Sequence, residues 1–94
     1  MANQSLKSTS TDFEKAAMNR FRSLTNCLPQ ACRVFREPWG CSTVLCLNFE
    51  ACPHSIATTQ KQIATLLAVA QQLGLGSSVI FKIGQKVQGW SSAA

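Results

Sequence analysis

The stretch CSTVLCLNFEACPHSIATTQKQIATLLAVAQQLGLGSSVIFKIGQK, residues 41–86, decides the fold. It reads as an apolar strand, an amphipathic helix with a glycine stop, and a second apolar strand. Ser42-Thr43-Val44-Leu45-Cys46-Leu47-Asn48-Phe49 is rich in β-branched and aromatic residues. Nearly continuous apolarity over that length suits a central strand covered on both faces, or one flanked by partners. Cys52-Pro53-His54 then breaks it, because proline brings no N–H to a ladder and fixes its own φ.

A helix is predicted from about Ser55 to Leu73. Ile56, Ile63, Leu66, Leu67, Ala70 and Leu73 fall at offsets that place them on one stripe. Ser55 is one candidate N-cap; Thr59 with Gln62 three residues on is another. Gly74 sits where a left-handed residue ends a helix, and Leu75 can fold back on the last turn. The second strand, Ser78 to Ile83 with an extension through Gly84 to Val87, sets Val79, Phe81 and Ile83 against Lys82. That alternation predicts one buried face and one partly wet face.

Upstream, Thr11-Asp12-Phe13-Glu14 reads as a capping box that starts a first helix. Phe13, Ala17, Phe21, Leu24 and Leu28 trace its apolar face, and Pro29 stops it at about Thr25 to Leu28. Residues 31–36 read as a strand paired antiparallel with 41–49, through a type I turn at Glu37-Pro38-Trp39-Gly40. A helix over 30–36 is the alternative. The resulting class is α+β, a small two-layer domain of order α-β-β-α-β. Its sheet is three-stranded and mixed, with two helices on one face and the first strand between the other two. Residues 1–10 read as a disordered polar tail, 11–90 as a single domain, and 91–94 as a frayed end.

A chain of 94 residues is one domain, and 46% hydrophobic content is enough for a small core. Such a chain gains from self-association or a stable partner, because extra buried area offsets ordering entropy. No apolar run approaches the roughly 18–20 residues of a membrane span, so no membrane partner is expected. The polar N-terminus has no signal-peptide core, which makes cytoplasmic the expectation. Five cysteines, at positions 27, 32, 41, 46 and 52, are an odd number and read as reduced structural thiols.

Cys46-x5-Cys52, at a strand end before a helix, resembles the opening of thioredoxin-like ferredoxins, where two such cysteines begin a four-thiolate iron–sulfur site. That resemblance implies a second cysteine pair downstream, and no cysteine follows Cys52. Zinc held by Cys46, Cys52, His54 and a further cysteine is the related idea, without the tight two-residue knuckle of structural zinc sites. Neither a metal nor any cofactor is expected. A Cys52–His54 dyad lacks an orienting third group, and Asp12 and Glu14 already have capping roles, so no catalytic set is predicted.

Charge says more. The net charge is +5, and no Asp or Glu occurs after Glu50. Arg33, Arg36, Lys82 and Lys86, flanked by Trp39 and Trp90, are the candidate partner-binding residues. The leading expectation is a small non-enzymatic regulatory or adaptor protein that binds a protein partner or a second copy of itself. The alternative is a basic nucleic-acid-binding domain with those four cations on phosphates. A cysteine-ligated metal module is the third.

Overall fold

A computed structural model of the chain describes the backbone of residues 2–92 and the side chains of residues 12–92. A long helix, α1 (Ala2–Thr25), leads into a hairpin of β1 (Arg33–Trp39) and β2 (Ser42–Asn48). A 3-10 turn at Pro53–Ser55 introduces α2 (Ile56–Gln60) and α3 (Ile63–Gln72). A second hairpin, β3 (Ser78–Ile83) and β4 (Lys86–Ser92), completes the fold. The sheet is four-stranded and mixed, in the order β1-β2-β3-β4. Both hairpins are antiparallel, and β2 lies parallel to β3. The α+β class, the antiparallel pairing of the first hairpin and the helical crossover therefore stand. Residues 33–36 are strand, not helix.

The sheet differs from the expectation in two ways. It has a fourth strand, and its inner strands are β2 and β3, with β1 at an edge. Both hairpins turn on two residues, Gly40-Cys41 and Gly84-Gln85, with the leading glycine at φ +65 and +63 respectively. Glycine at the first central position is the requirement of a type II′ turn, whose twist matches the flanking strands. Glu37, Pro38 and Trp39 consequently belong to β1 and not to a four-residue turn. At the second hairpin the Asn48 side chain clamps the turn: Gly84 N–H donates to Oδ1 at 3.0 Å, and Nδ2 donates to the Gly84 carbonyl at 3.1 Å.

Pattern and capping explain the helices. α1 begins at Ala2, so Thr11 and Glu14 lie inside it and form no capping box; the expected tail at residues 2–10 has a helical backbone. Of the expected frayed end, Ser91 and Ser92 lie in β4, and residues 93–94 fall outside the described residues. At about 1.5 Å per residue, α1 is roughly 36 Å long, and the molecule measures 45 × 30 × 26 Å. Among the described side chains, its buried residues lie in the C-terminal half. Met18, Phe21 and Thr25 are buried, whereas Phe13 and Leu24 of the expected apolar face stay exposed. Asn26 caps the end at φ +49, three residues before Pro29.

The single helix expected over 55–73 is interrupted at Lys61-Gln62. Thr59 is buried, and its hydroxyl donates to the Ser55 carbonyl at 3.0 Å. Such a back-bond to the preceding turn bends helices. Gln62 N–H then bonds the Thr59 carbonyl in a tight three-residue step. Neither Ser55 nor Gln62 makes a side-chain cap bond. The C-terminal stop is as expected. Leu75 N–H reaches the Ala70 carbonyl and Gly74 N–H the Gln71 carbonyl, a Schellman closure with Gly74 at φ +70 and Leu75 buried.

α1 and α3 cover one face of the sheet. Phe21, Leu66, Val69 and Ala70 meet Leu45, Leu47, Phe49, Val79 and Phe81 in the main core. Phe49 and Phe81 stack there with ring centroids 6.2 Å apart. Gly76 presses against the backbone of the central strand: a Cβ built on it would lie 2.9 Å from the Thr43 carbonyl oxygen. Gly76→Ala is expected to cost about 1–3 kcal/mol of stability, read as a lowered urea midpoint at unchanged slope. An unaltered midpoint would show that the loop moves off β2 freely.

Candidate functional site

Strand alternation determines what the uncovered side of the sheet carries. On β2, Leu45 and Leu47 point to the helices, so Val44, Cys46 and Asn48 point away. Register extends that face across the sheet. Phe35, Cys46, Ile80 and Trp90 form one cross-strand row, and Arg33, Asn48, Lys82 and Val87 the next. At about 4.8 Å per strand, Phe35 and Trp90 stand roughly 14 Å apart. Trp39, paired with Ser42, closes the far end of β1.

Val44, Cys46 and Ile80 are buried on this face, with Phe35 half-buried against them, although among the described residues no helix packs over them. Side chains from neighbouring strands close over them. Lys82 Nζ donates to Glu37 Oε1 at 3.2 Å, and Glu37 pairs with Val44 while Lys82 pairs with Asn48. The ion pair thus runs diagonally over Cys46, which lies between those two positions. Burial, followed by the Glu37 carboxylate, pushes the Cys46 thiol up to about 11. Around this lid the aromatics are open: Trp39 is 48% exposed, Trp90 61% and Val87 48%. The Arg33 guanidinium lies 5.9 Å from the centre of the Phe35 ring.

The six sequence-predicted residues do not form one patch. Arg33, Trp39, Lys82 and Trp90 share the open face, but Lys82 is neutralised by Glu37. Arg36 points the other way and grips α1, with Nε donating to Glu14 Oε2 at 2.9 Å. Lys86 pairs with Ile83 beside the hairpin turn, on the helix side. Phe35, Glu37 and Val87 belong to the open face and escaped the sequence reading. The alternation Arg33, Phe35, Glu37, Trp39 carried the signal, once Pro38 is placed within the strand.

The cysteines separate as well. Cys46 belongs to the open-face cluster and Cys52 to the main core on the opposite side of the sheet, so the Cys46-x5-Cys52 constellation does not assemble. His54 is exposed while Cys52 is buried, which undoes the dyad. Among the described residues, no group of three or more His, Cys, Asp or Glu side chains has the geometry to hold a metal ion. Burial pushes Cys32 up to about 12, with its neighbours Cys52 and Cys27 adding to the shift against Arg22. Among the described residues, no helix is long and apolar enough to cross a membrane.

No protein-family model matches the chain, and no curated protein or solved structure matches it significantly. The open face must therefore be interpreted from its own chemistry.

Two measurements check this geometry. In the folded protein, Cys41, exposed at the hairpin tip, should react promptly with a thiol reagent at neutral pH. Cys32 and Cys46 should react only on unfolding, and rapid labelling of either would contradict its burial. The second measurement concerns the α1–β1 tether. The Arg36 guanidinium holds the Glu14 carboxyl below its usual value of 4.5. A depressed carboxyl contributes stability above its unfolded value, and that contribution is lost as pH falls through the folded one. Being solvent-facing, the pair is worth under about 1 kcal/mol. The stability gap between wild type and Glu14→Gln should accordingly be present at pH 6 and should shrink as the pH is lowered below 4.5.

Proposed function

We propose that the protein is a non-catalytic binding module that docks a protein partner on the open face of its sheet. One observation carries the reading: Phe35, Trp39, Val87 and Trp90 rim an apolar floor that no second layer covers. Large amphipathic aromatics beside an arginine are the side chains that dominate binding energy at protein interfaces. A sheet face left open on a soluble domain is normally polar. This one is not, which argues that burial of the face is part of its use.

Size and charge favour a different protein over a second copy. Four strands at about 4.8 Å, each of about seven residues at about 3.3 Å, offer roughly 440 Å² of flat area. A stable pair needs about 800 Å² from each partner. Two copies would also each bring +5. A partner that covers the face and reaches past its rim meets both constraints. The nucleic-acid alternative loses ground on pairing, since Lys82 and Arg36 already face Glu37 and Glu14.

The test replaces Val87 with a photo-crosslinking phenylalanine analogue and, separately, Lys61 on the helix side, in cells. The expected result is a discrete, nuclease-resistant protein adduct from position 87 but not from position 61. Trp90→Ala or Trp39→Ala should reduce it by about tenfold or more. Equal adducts from both positions, or indifference to both tryptophans, would remove the open face as the docking surface. A nuclease-sensitive adduct would transfer the face to nucleic acid.

A further inference from the structure

A second surface lies on the other side of β1, where a groove of about 530 Å³ runs between α1 and the outer edge of that strand. Among the described residues β1 pairs only with β2, so one set of its backbone groups is unclaimed by the sheet. The hairpin geometry says which set. In a two-residue hairpin the closing pair, here Trp39 and Ser42, bonds mutually, and mutually bonded pairs recur at every second position. Glu37, Phe35 and Arg33 thus bond inward to β2. Val34, Arg36 and Pro38 turn their main-chain groups outward. Pro38 agrees with this count, since its missing N–H falls where no ladder bond is lost. The N–H and C=O of Val34 and Arg36 are left facing the groove.

The groove's walls add a charge requirement. Lys15, Met18 and Arg22 line it from α1, and Arg33, Val34 and Arg36 from β1. Four of these are cations. The single carboxylate of the groove, Glu14, is occupied by Arg36. Arg22 is spent on the main chain, donating to the Pro29 carbonyl at 3.2 Å and to the Cys32 carbonyl. Lys15 and Arg33 are exposed and, among the described residues, make no ion pair. Buried Met18 and half-buried Val34 give the groove an apolar floor.

An open strand edge, an apolar floor and a one-signed rim together specify an occupant. We infer that the groove takes an extended acidic segment of a protein partner as a fifth strand beside β1. Its backbone pairs with Val34 and Arg36, one set of alternate side chains rests on Met18 and Val34, and its carboxylates lie in the field of Lys15 and Arg33. A second copy of the chain does not fit this description. Its unpaired edge strand β4 carries Lys86 and no acid, and its acids number only four in the whole sequence. Arg33 borders both this groove and the open face, but the groove's floor, Met18 and Val34, and its unclaimed backbone groups lie outside the open face.

The experiment is a titration of the isotope-labelled full chain with the peptide acetyl-Glu-Val-Glu-Val-Glu-Val-amide, followed by amide NMR and hydrogen exchange. Binding should shift the Val34 and Arg36 amides and the Met18 methyl, and slow exchange at those two amides. The double variant Lys15→Glu with Arg33→Glu, both surface changes, should weaken binding by about tenfold or more, as should raising the salt. Trp90→Ala should leave it unchanged, which keeps this result separate from the open face. Several outcomes overturn the inference. One is silence at Val34 and Arg36 at millimolar peptide; another is equal binding of the Lys-Val counterpart. Shifts that follow protein concentration without peptide would give the groove to a second copy. Tighter occupation by an oligothymidylate would give it to nucleic acid.

Discussion

Burial of β2 on both of its faces is the constraint on which the rest of the structure depends. From Val44 to Phe49 every side chain of this stretch is at least nine-tenths buried. Fully burying each large apolar side chain stabilises a domain by roughly 1.5–3 kcal/mol, so the strand can be placed only where neighbours exist above, below and beside it. The helices supply the cover on one face. The parallel partner β3 and the antiparallel partner β1 supply the flanks. Asn48, the polar residue at the end of the run, is accommodated because Gly84 and the Glu50 N–H satisfy its amide. Without that clamp, a buried amide at the sheet's end would carry a desolvation cost of about 1–3 kcal/mol.

The other face of β2 is solved differently, and that difference yields the candidate site. Val44 and Cys46 are covered by lateral reach, from Phe35 on one side and the Lys82–Glu37 pair across the top. A partly exposed ion pair contributes little net stability, and its aliphatic stems do the covering. Such a lid can shield a narrow floor but cannot cover the tall aromatics at its rim. Trp39 and Trp90 sit on the two edge strands, where only one lateral neighbour exists, and there they stay exposed. The sheet's lack of a second layer and the exposure of its tryptophans are one geometric fact.

The core was legible in the sequence because its signals are local. The β2 run, the 3.6-residue stripe of Leu66 and Ala70 and the Gly74–Leu75 stop all report on neighbours a few residues away. The first hairpin was legible as a pairing but not in its turn. Glu37-Pro38-Trp39-Gly40 matches type I turn chemistry, yet Pro38 is tolerated in an edge strand and Gly40-Cys41 makes the tighter closure. β4 was illegible for a different reason. Gln88, Gly89 and Ser91 have weak strand preference, and the strand is held by its ladder to β3 and by little packing. The split of the helix at Lys61 turned on one buried hydroxyl, Thr59, that no periodicity announces. Of the candidate site residues, Arg33, Trp39 and Trp90 share the open face, whereas Arg36 and Lys82 are ion-paired, and a sequence does not show which cations have a carboxylate waiting across the fold.

Ion pairing also decides which charges stay free beside β1. Two of the chain's four acids join elements that are distant in sequence: Glu14 ties α1 to β1 through Arg36, and Glu37 ties β1 to β3 through Lys82. Both tethers end on β1, the strand with the fewest neighbours and no buried residue of its own. A strand so weakly embedded needs such links, since its packing alone contributes little. Acids used this way are withdrawn from the surface balance, and the cations beyond them, Arg33 and Lys15 among them, remain in excess next to the same strand. Among the described residues, Lys15 and Arg33 thus stand without an ion pair beside a strand whose outer edge has no sheet neighbour and whose Trp39 is exposed on the open face.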